Sequence, residues 1–182
     1  DAKLAMQDSI AILTALRSGV GHMIIDYEYG IDNGLLQLIE RTKELQDGIS
    51  TNDPNSAAKR DYYDAVVICC YALIIFAQRY ADKARMMASC EKSLLRKKEL
   101  LKIASICERV PAYPARNFWE AVQSFWFIHL ALQLESNGHS VSPGRFDQYM
   151  YKYYRGKNEP SRNERNSNEE LLHCLWIKFS EI

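Results

Sequence analysis

The chain has 182 residues, of which 47% are apolar and 11% aromatic, and its 23 basic and 23 acidic side chains cancel at neutral pH. That is one domain's worth of chain, able to bury roughly 70% of its extended surface, which excludes a disordered tail. Zero net charge offers no global field for a phosphate backbone or an anionic lipid surface, so no nucleic-acid or membrane partner is expected.

Leu4, Ile10, Leu13 and Leu16 recur at helical spacing and stop at the flexible Ser18-Gly19-Val20-Gly21. His22 to Tyr29 is a short, partly β-branched stretch that ends at Gly30 and the turn-prone Asp32-Asn33-Gly34. Leu35, Leu36, Leu38, Ile39 and Leu45 then make the apolar face of an amphipathic helix. After the polar turn Ser50 to Ser56, the most continuous helical pattern runs to about Lys92. Its Ala65 to Ala77 run is all apolar but shorter than the roughly 20 residues that cross a bilayer. It is expected as a buried core helix, with the charged part from Arg79 to Arg85 emerging. Ser93 to Arg109 keeps Leu94, Leu101, Ala104 and Ile106 near one side, and its Arg96-Lys97-Lys98 cluster reads as a solvated helix face.

Pro111 and Pro114 stop that helix, because proline lacks the amide and constrains the residue before it. Asn117, three residues before Glu120, looks like the start of a capping box. The helix that follows, FWEAVQSFWFIHLALQLE, is apolar almost all round and belongs inside a large protein. After a polar loop from Arg155 to Asn168, a last helix is expected to open at Ser167 and to be cut at Ile182. Two all-apolar helices and the missing initiating Met make residues 1–182 read as a single segment of a longer protein, truncated at both ends. Cys69, Cys70, Cys90, Cys107 and Cys174 contain no C-x-x-C pair and lie mostly in apolar stretches. They are expected as core residues of a reduced, cytoplasmic chain.

Between the buried helix and the polar loop, Glu135 to Tyr151 gathers two glycines, a proline, hydroxyls, a histidine, an arginine and an aspartate. Such a loop is either an internally hydrogen-bonded corner or an active-site loop on a rigid support. Arg145 and Asp147 within it point the same way on an extended segment, or pair on a turn.

The run Asn137-Gly138-His139-Ser140-Val141-Ser142-Pro143-Gly144-Arg145-Phe146-Asp147-Gln148-Tyr149-Met150-Tyr151 resembles the S-N-G-H-S-x-S-P-G-R-F-D-Q-Y-M-Y signature of the glycyl radical enzymes, the pyruvate formate-lyase-like family. The likeness extends back through Val110 to Ala115, Phe118 to Ser124, Arg79-Tyr80-Ala81 and Gly21-His22, and forward into Glu170-Leu171-Leu172 and Leu175 to Phe179. It covers essentially the whole chain, as an internal block from the first half of a longer enzyme. The resemblance implies a partial segment of a β/α barrel, mainly α here, with short strands expected near His22 to Ile25 and around Ser140 to Ser142. In that family the barrel holds a cysteine thiyl radical, formed by a glycyl radical that a separate S-adenosylmethionine iron-sulfur activating enzyme installs.

The family's G-C-x-E and R-V-x-G-Y contexts for those two residues are absent from this chain. The implied role is therefore pocket wall and scaffold of an anaerobic lyase or dehydratase, a homodimer, with the isolated chain inactive and binding no metal or cofactor. The resemblance to the glycerol dehydratase-like branch makes His22 and Ser140 substrate-pocket residues. A neutral diol suits hydrogen bonds, and a histidine titrating near 6.5 can donate to a departing hydroxyl. Asn137, His139, Arg145 and Asp147 are read as supports of the loop. Asp26 and Glu28 either orient His22 or sit in an exposed turn, and Lys152 stands where the family usually has proline. The competing reading is a non-catalytic helical interaction module derived from the same family. A hydrolase or metal site from Ser140, His139, His22 and Asp147 finds no G-x-S-x-G elbow, and His22, His129, His139 and His173 show no ligand spacing with the cysteines.

Overall fold

The structure is a computed structural model that describes residues 23–136, 140–156 and 160–181. The expected helix from Leu4 to Leu16, and His22, Asn137 and His139, lie outside the described residues. In chain order the elements are β1 (Met23–Ile24), α1 (Tyr27–Asn33), α2 (Leu35–Asp47), α3 (Ser56–Cys90), α4 (Leu94–Arg109), α5 (Phe118–Ser136), β2 (Val141–Ser142), α6 (Phe146–Arg155) and α7 (Arg162–Phe179). The described residues are thus mainly helical with two short strands, both at the positions expected for them. β1 and β2 pair in parallel, Met23 opposite Val141 and Ile24 opposite Ser142.

Helix α1 occupies a stretch that the sequence punctuates as a turn. Asp26 explains it, because its carboxylate accepts the Tyr29 N–H at 3.0 Å and satisfies a free amide of the first turn. Gly30 lies inside the helix as a contact surface, since a Cβ there would stand 2.9 Å from Ile128 Cδ1 of α5. The chain turns at Gly34, where a φ of +76° and the Ala112 carbonyl oxygen, which a Cβ would meet at 2.6 Å, both demand glycine. Beyond it, the Leu35 and Leu36 amides donate to the carbonyls of Pro111 and Ala112 at 2.8 and 3.0 Å. The proline segment that ends α4 therefore caps α2.

Helices α3 and α4 pack along one another as a hairpin. The buried positions of α3 are Cys70, Ala77, Ala81, Ala84 and Ala88, whereas Ile68 and Ile75 are 66% and 60% exposed. This corrects the expectation of a buried apolar middle; the charged Arg79, Asp82, Lys83 and Arg85 are exposed as expected, between the buried alanines. Small side chains spaced three and four apart let the backbones approach, so the alanine stripe goes inward and the large residues go outward. Helix α3 is also long and apolar enough, by length and composition, to cross a membrane, which the shorter Ala65 to Ala77 run alone is not. On α4 the buried residues are Leu100, Ala104, Ile106 and Cys107, so Ala104 and Ile106 of the face read from sequence are buried, while Leu94 and Leu101 are exposed. Of the cysteines only Cys70 and Cys107 are buried; Cys69, Cys90 and Cys174 are exposed, correcting their assignment to the core.

Helix α5 is the centre. Phe118, Ala121, Val122 and Phe125 meet Tyr27 and Ile31 of α1, Met150 of α6 and Leu175 of α7, while Phe127 on another face meets Ala77, Ala81 and Cys107. Its start is capped as expected by Asn117, whose Oδ1 accepts the Glu120 N–H at 3.0 Å. Glu120 then reaches back to the Arg116 N–H at 2.8 Å, one residue earlier than in a regular capping box. This carboxylate is 2% exposed and ion-pairs with Arg116 at 2.5 Å and Arg109 at 3.4 Å. Burial would raise its pKa, but hydrogen bonds and charge from Arg116, with help from Arg109, prevail and hold it below the ordinary value.

Two further corrections fall in the C-terminal part. Residues 146–151, read as part of the loop, belong to α6, whose Met150 is buried with Phe146, Tyr149, Tyr153 and Tyr154 packed against the same core. Helix α7 opens at Arg162 rather than Ser167, because Ser161 and Glu164 make a capping box there, and it ends at Phe179, not at the last residue.

Candidate functional site

The parallel pair β1–β2 joins the two segments that carry the sequence's chemical motifs. Ser140, immediately before β2, has φ of +57°, the one non-glycine left-handed residue among those described. Such a conformation costs roughly 1–3 kcal/mol and persists only where its surroundings impose it. The Ser140 residue is exposed. Past the strand, the Ser142 hydroxyl accepts the Gly144 N–H at 3.3 Å, and the Pro143 carbonyl accepts the Tyr149 hydroxyl at 2.8 Å. Gly144, at φ +68°, lies so close to β1 that a Cβ would stand 2.7 Å from Ile24 Cγ2. The loop is thus internally hydrogen-bonded, and at its edge Ser140 is exposed with a left-handed backbone.

Arg145 is the N-cap residue of α6 and Asp147 lies in its first turn, where a carboxylate complements the helix dipole; the two form no ion pair with one another. Asp26 caps α1, and Glu28 accepts from Lys152 Nζ at 2.8 Å. Lys152 also binds Asp32, which accepts the Tyr153 hydroxyl at 2.6 Å. The lysine at the family's proline position therefore ties α6 to α1.

Beside β2 opens a cleft of about 650 Å³, lined among others by His129, Gln133, Val141, Pro143, Trp176 and Phe179. His129 is 2% exposed and stacks on Phe125, with ring centroids 5.4 Å apart. Its Nδ1 lies 2.7 Å from the Tyr27 hydroxyl and its Nε2 3.1 Å from the Gln133 amide nitrogen, while Gln133 Oε1 is buried without a partner. Burial lowers the His129 pKa and raises that of Tyr27, so both stay neutral near pH 7. The sequence reading passed over this pair. For His129 with Gln133 a local signal existed, two polar residues at i and i+4 on a mostly apolar helix, whereas the contact with Tyr27 had none.

The buried thiols are chemically quiet. Desolvation, with Glu108 adding to it, pushes Cys107 up to about 11, and Cys70 is likewise raised by burial. Among the described residues no group of three or more His, Cys, Asp or Glu is placed to hold a metal ion.

The family model described as pyruvate formate lyase-like matches residues 1–182. Isethionate sulfite-lyase of Oleidesulfovibrio alaskensis is 39% identical over 170 residues, 92% of this chain and 20% of that enzyme. Trans-4-hydroxy-L-proline dehydratase of Clostridioides difficile is 38% identical over 77% of this chain and 18% of its own length. Among solved structures, the glycerol-bound form of the B12-independent glycerol dehydratase from Clostridium butyricum superposes with a TM-score of 0.84 at 41% identity, covering 91% of this chain and 21% of that one. The chain thus spans about a fifth of the length of these relatives. Matched from its first residue to its last, it belongs to the pyruvate formate lyase-like family of glycyl radical enzymes.

Proposed function

We propose that this chain is a segment from the N-terminal half of a glycyl radical lyase or dehydratase, where it forms part of the β/α barrel and one wall of the substrate pocket. The observation that carries the reading is the parallel β1–β2 pair. Parallel strands need a crossover, here the helices α1 to α5, and such units build barrels. His22 and Ser140 are the chain neighbours of the paired residues Met23 and Val141, and consecutive Cα atoms are about 3.8 Å apart. Their pocket role is supported further by the imposed left-handed backbone of Ser140.

In the completed enzyme, a thiyl radical on a cysteine beyond this chain supplies hydrogen-atom abstraction from carbon. The residues of this chain do the rest at the wall: Ser140 holds a substrate hydroxyl, and His22 donates a proton to the departing group. Asn137, His139, Arg145 and Asp147 support the loop that presents Ser140. The substrate is a small hydroxylated compound that loses water or another leaving group, in keeping with the relatives' names, dehydratase and sulfite-lyase. The partners are a radical S-adenosylmethionine activating enzyme, the remainder of the polypeptide and a second copy, in the cytoplasm. The outward apolar residues of α3 pack against that remainder. By itself the chain has no catalytic activity.

The test is to read the gene beyond the codon for Ile182. The expected result is a frame that continues to a G-C-x-E and then an R-V-x-G-Y motif. A stop codon there would contradict the enzyme reading and leave a non-catalytic helical module of the same descent.

A further inference from the structure

We propose that Tyr149, through its hydroxyl, is the positioning residue that holds Ser140 in its left-handed conformation. The inference rests on the pocket role of Ser140 given above and names how that residue is kept in place. The β1–β2 ladder has only two residues on each side, Met23–Ile24 and Val141–Ser142, and so short a pair is marginal by itself. Ser140, at its very edge with φ of +57°, would relax to negative φ if the strand could shift. Something outside the ladder must over-determine it.

Three contacts fix the segment just beyond the strand. Gly144 sits against Ile24, the Ser142 hydroxyl accepts the Gly144 amide, and the Pro143 carbonyl accepts the Tyr149 hydroxyl at 2.8 Å. Of these only the last ties the loop to a helix by a hydrogen bond; β2 itself rests on α5 by packing alone, with Val141 buried. Its donor is itself held: the Tyr149 ring stacks on Tyr27 with centroids 6.3 Å apart and meets Phe146 edge-on at 5.7 Å, and the Tyr27 hydroxyl is bound to His129. Helix α6 is further clamped to α1 through Lys152 with Glu28 and Asp32. Burial, and next the neighbouring Tyr27, raise the Tyr149 pKa, so the hydroxyl remains a donor at every working pH. A rigid donor on a rigid helix thus sets the Pro143 carbonyl, and three residues of chain carry that constraint back to Ser140.

The experiment is a double-mutant cycle in the full-length, activated enzyme, with Tyr149→Phe, Ser140→Ala and the combination, read as kcat/KM alongside glycyl radical content by electron paramagnetic resonance. Tyr149→Phe keeps the ring and its stacking, so radical content and melting temperature are expected to hold. Its kcat/KM is expected to fall roughly ten- to a hundredfold, as for a small misplacement of a binding group. In the Ser140→Ala background the same substitution is expected to cost nothing more. Ser142→Ala, which loosens the loop without touching α6, is expected to behave likewise and serves if Tyr149→Phe lowers the melting temperature. An impaired Ser140→Ala with an unchanged Tyr149→Phe, or with additive losses from both loop variants, overturns this inference alone. An unchanged Ser140→Ala overturns the pocket role and the inference together.

Discussion

Helices α3 and α5 are both apolar enough to be read as core, yet they are built in opposite ways. Helix α5 turns large aromatics inward on more than one face, with Phe125 fully buried and Phe127 2% exposed. Helix α3 turns a stripe of alanines inward and leaves Ile68, Ile75, Met86 and Tyr62 outside. Total apolarity says that a helix has something to bury; residue size along each face says against what. Large side chains fill the space between several elements, whereas the small ones of α3 allow a close approach to α4; α3 also packs on α2 through Val66, Val67 and Ile74, and its remaining face, with Ile68 and Ile75, is open.

The sharpest way to break this contrast is truncation on either side. Phe125→Ala, at the meeting point of α1, α5, α6 and α7, is expected to cost about 3–5 kcal/mol in urea unfolding. Ile75→Ala, on the open face of α3, is expected to stay within about 0.5 kcal/mol in the same assay. Equal losses would mean that α3 is buried in the chain as it stands. Enlarging the alanine stripe comes next: Ala81→Leu must push α3 off α4 and is expected to cost about 1–3 kcal/mol.

Titration separates the two regions as well, since the buried ionisable groups at issue lie on α5. His129 is held neutral by burial, so the unfolded chain binds the extra proton once pH drops below the ordinary value of 6.5. Stability is then fully present above 6.5 and is lost as pH falls toward the folded pKa. Glu120, with its pKa held below 4.5, likewise stabilises above that value, and its contribution is lost as pH falls through the folded pKa. Unfolding midpoints across pH are therefore expected to decline in two steps, the upper one abolished by His129→Gln. The smallest effect is expected from Lys152→Ala, whose half-exposed pairs with Glu28 and Asp32 are of a kind worth about 0.2–1 kcal/mol each.

Legibility in the sequence followed locality. The proline break, the Asn117 cap and the strands flanking His22 and Ser140 were readable because each is written in adjacent residues. Helix α1 was missed because Gly30 and the Asp32-Asn33-Gly34 run look like punctuation, while the reason for Gly30 is Ile128, far along the chain. The start of α7 was missed for want of weight on Ser161 and Glu164, a signal that was present. The motif run around Ser140 pointed to the family directly, whereas the latch from Tyr149 to Pro143 and the His129–Tyr27 pair depend on packing that no local pattern encodes.

The central claim, that this chain is one wall of a larger radical enzyme, is tested most directly by anaerobic turnover. The 182-residue chain and the full-length product of its gene would each be incubated with the activating enzyme, S-adenosylmethionine, reductant and a panel of small hydroxylated substrates. The expected result is elimination product from the full-length protein, reduced by Ser140→Ala, and none from the 182-residue chain. Turnover by the 182-residue chain alone, or none by a full-length protein that carries its glycyl radical, would contradict it.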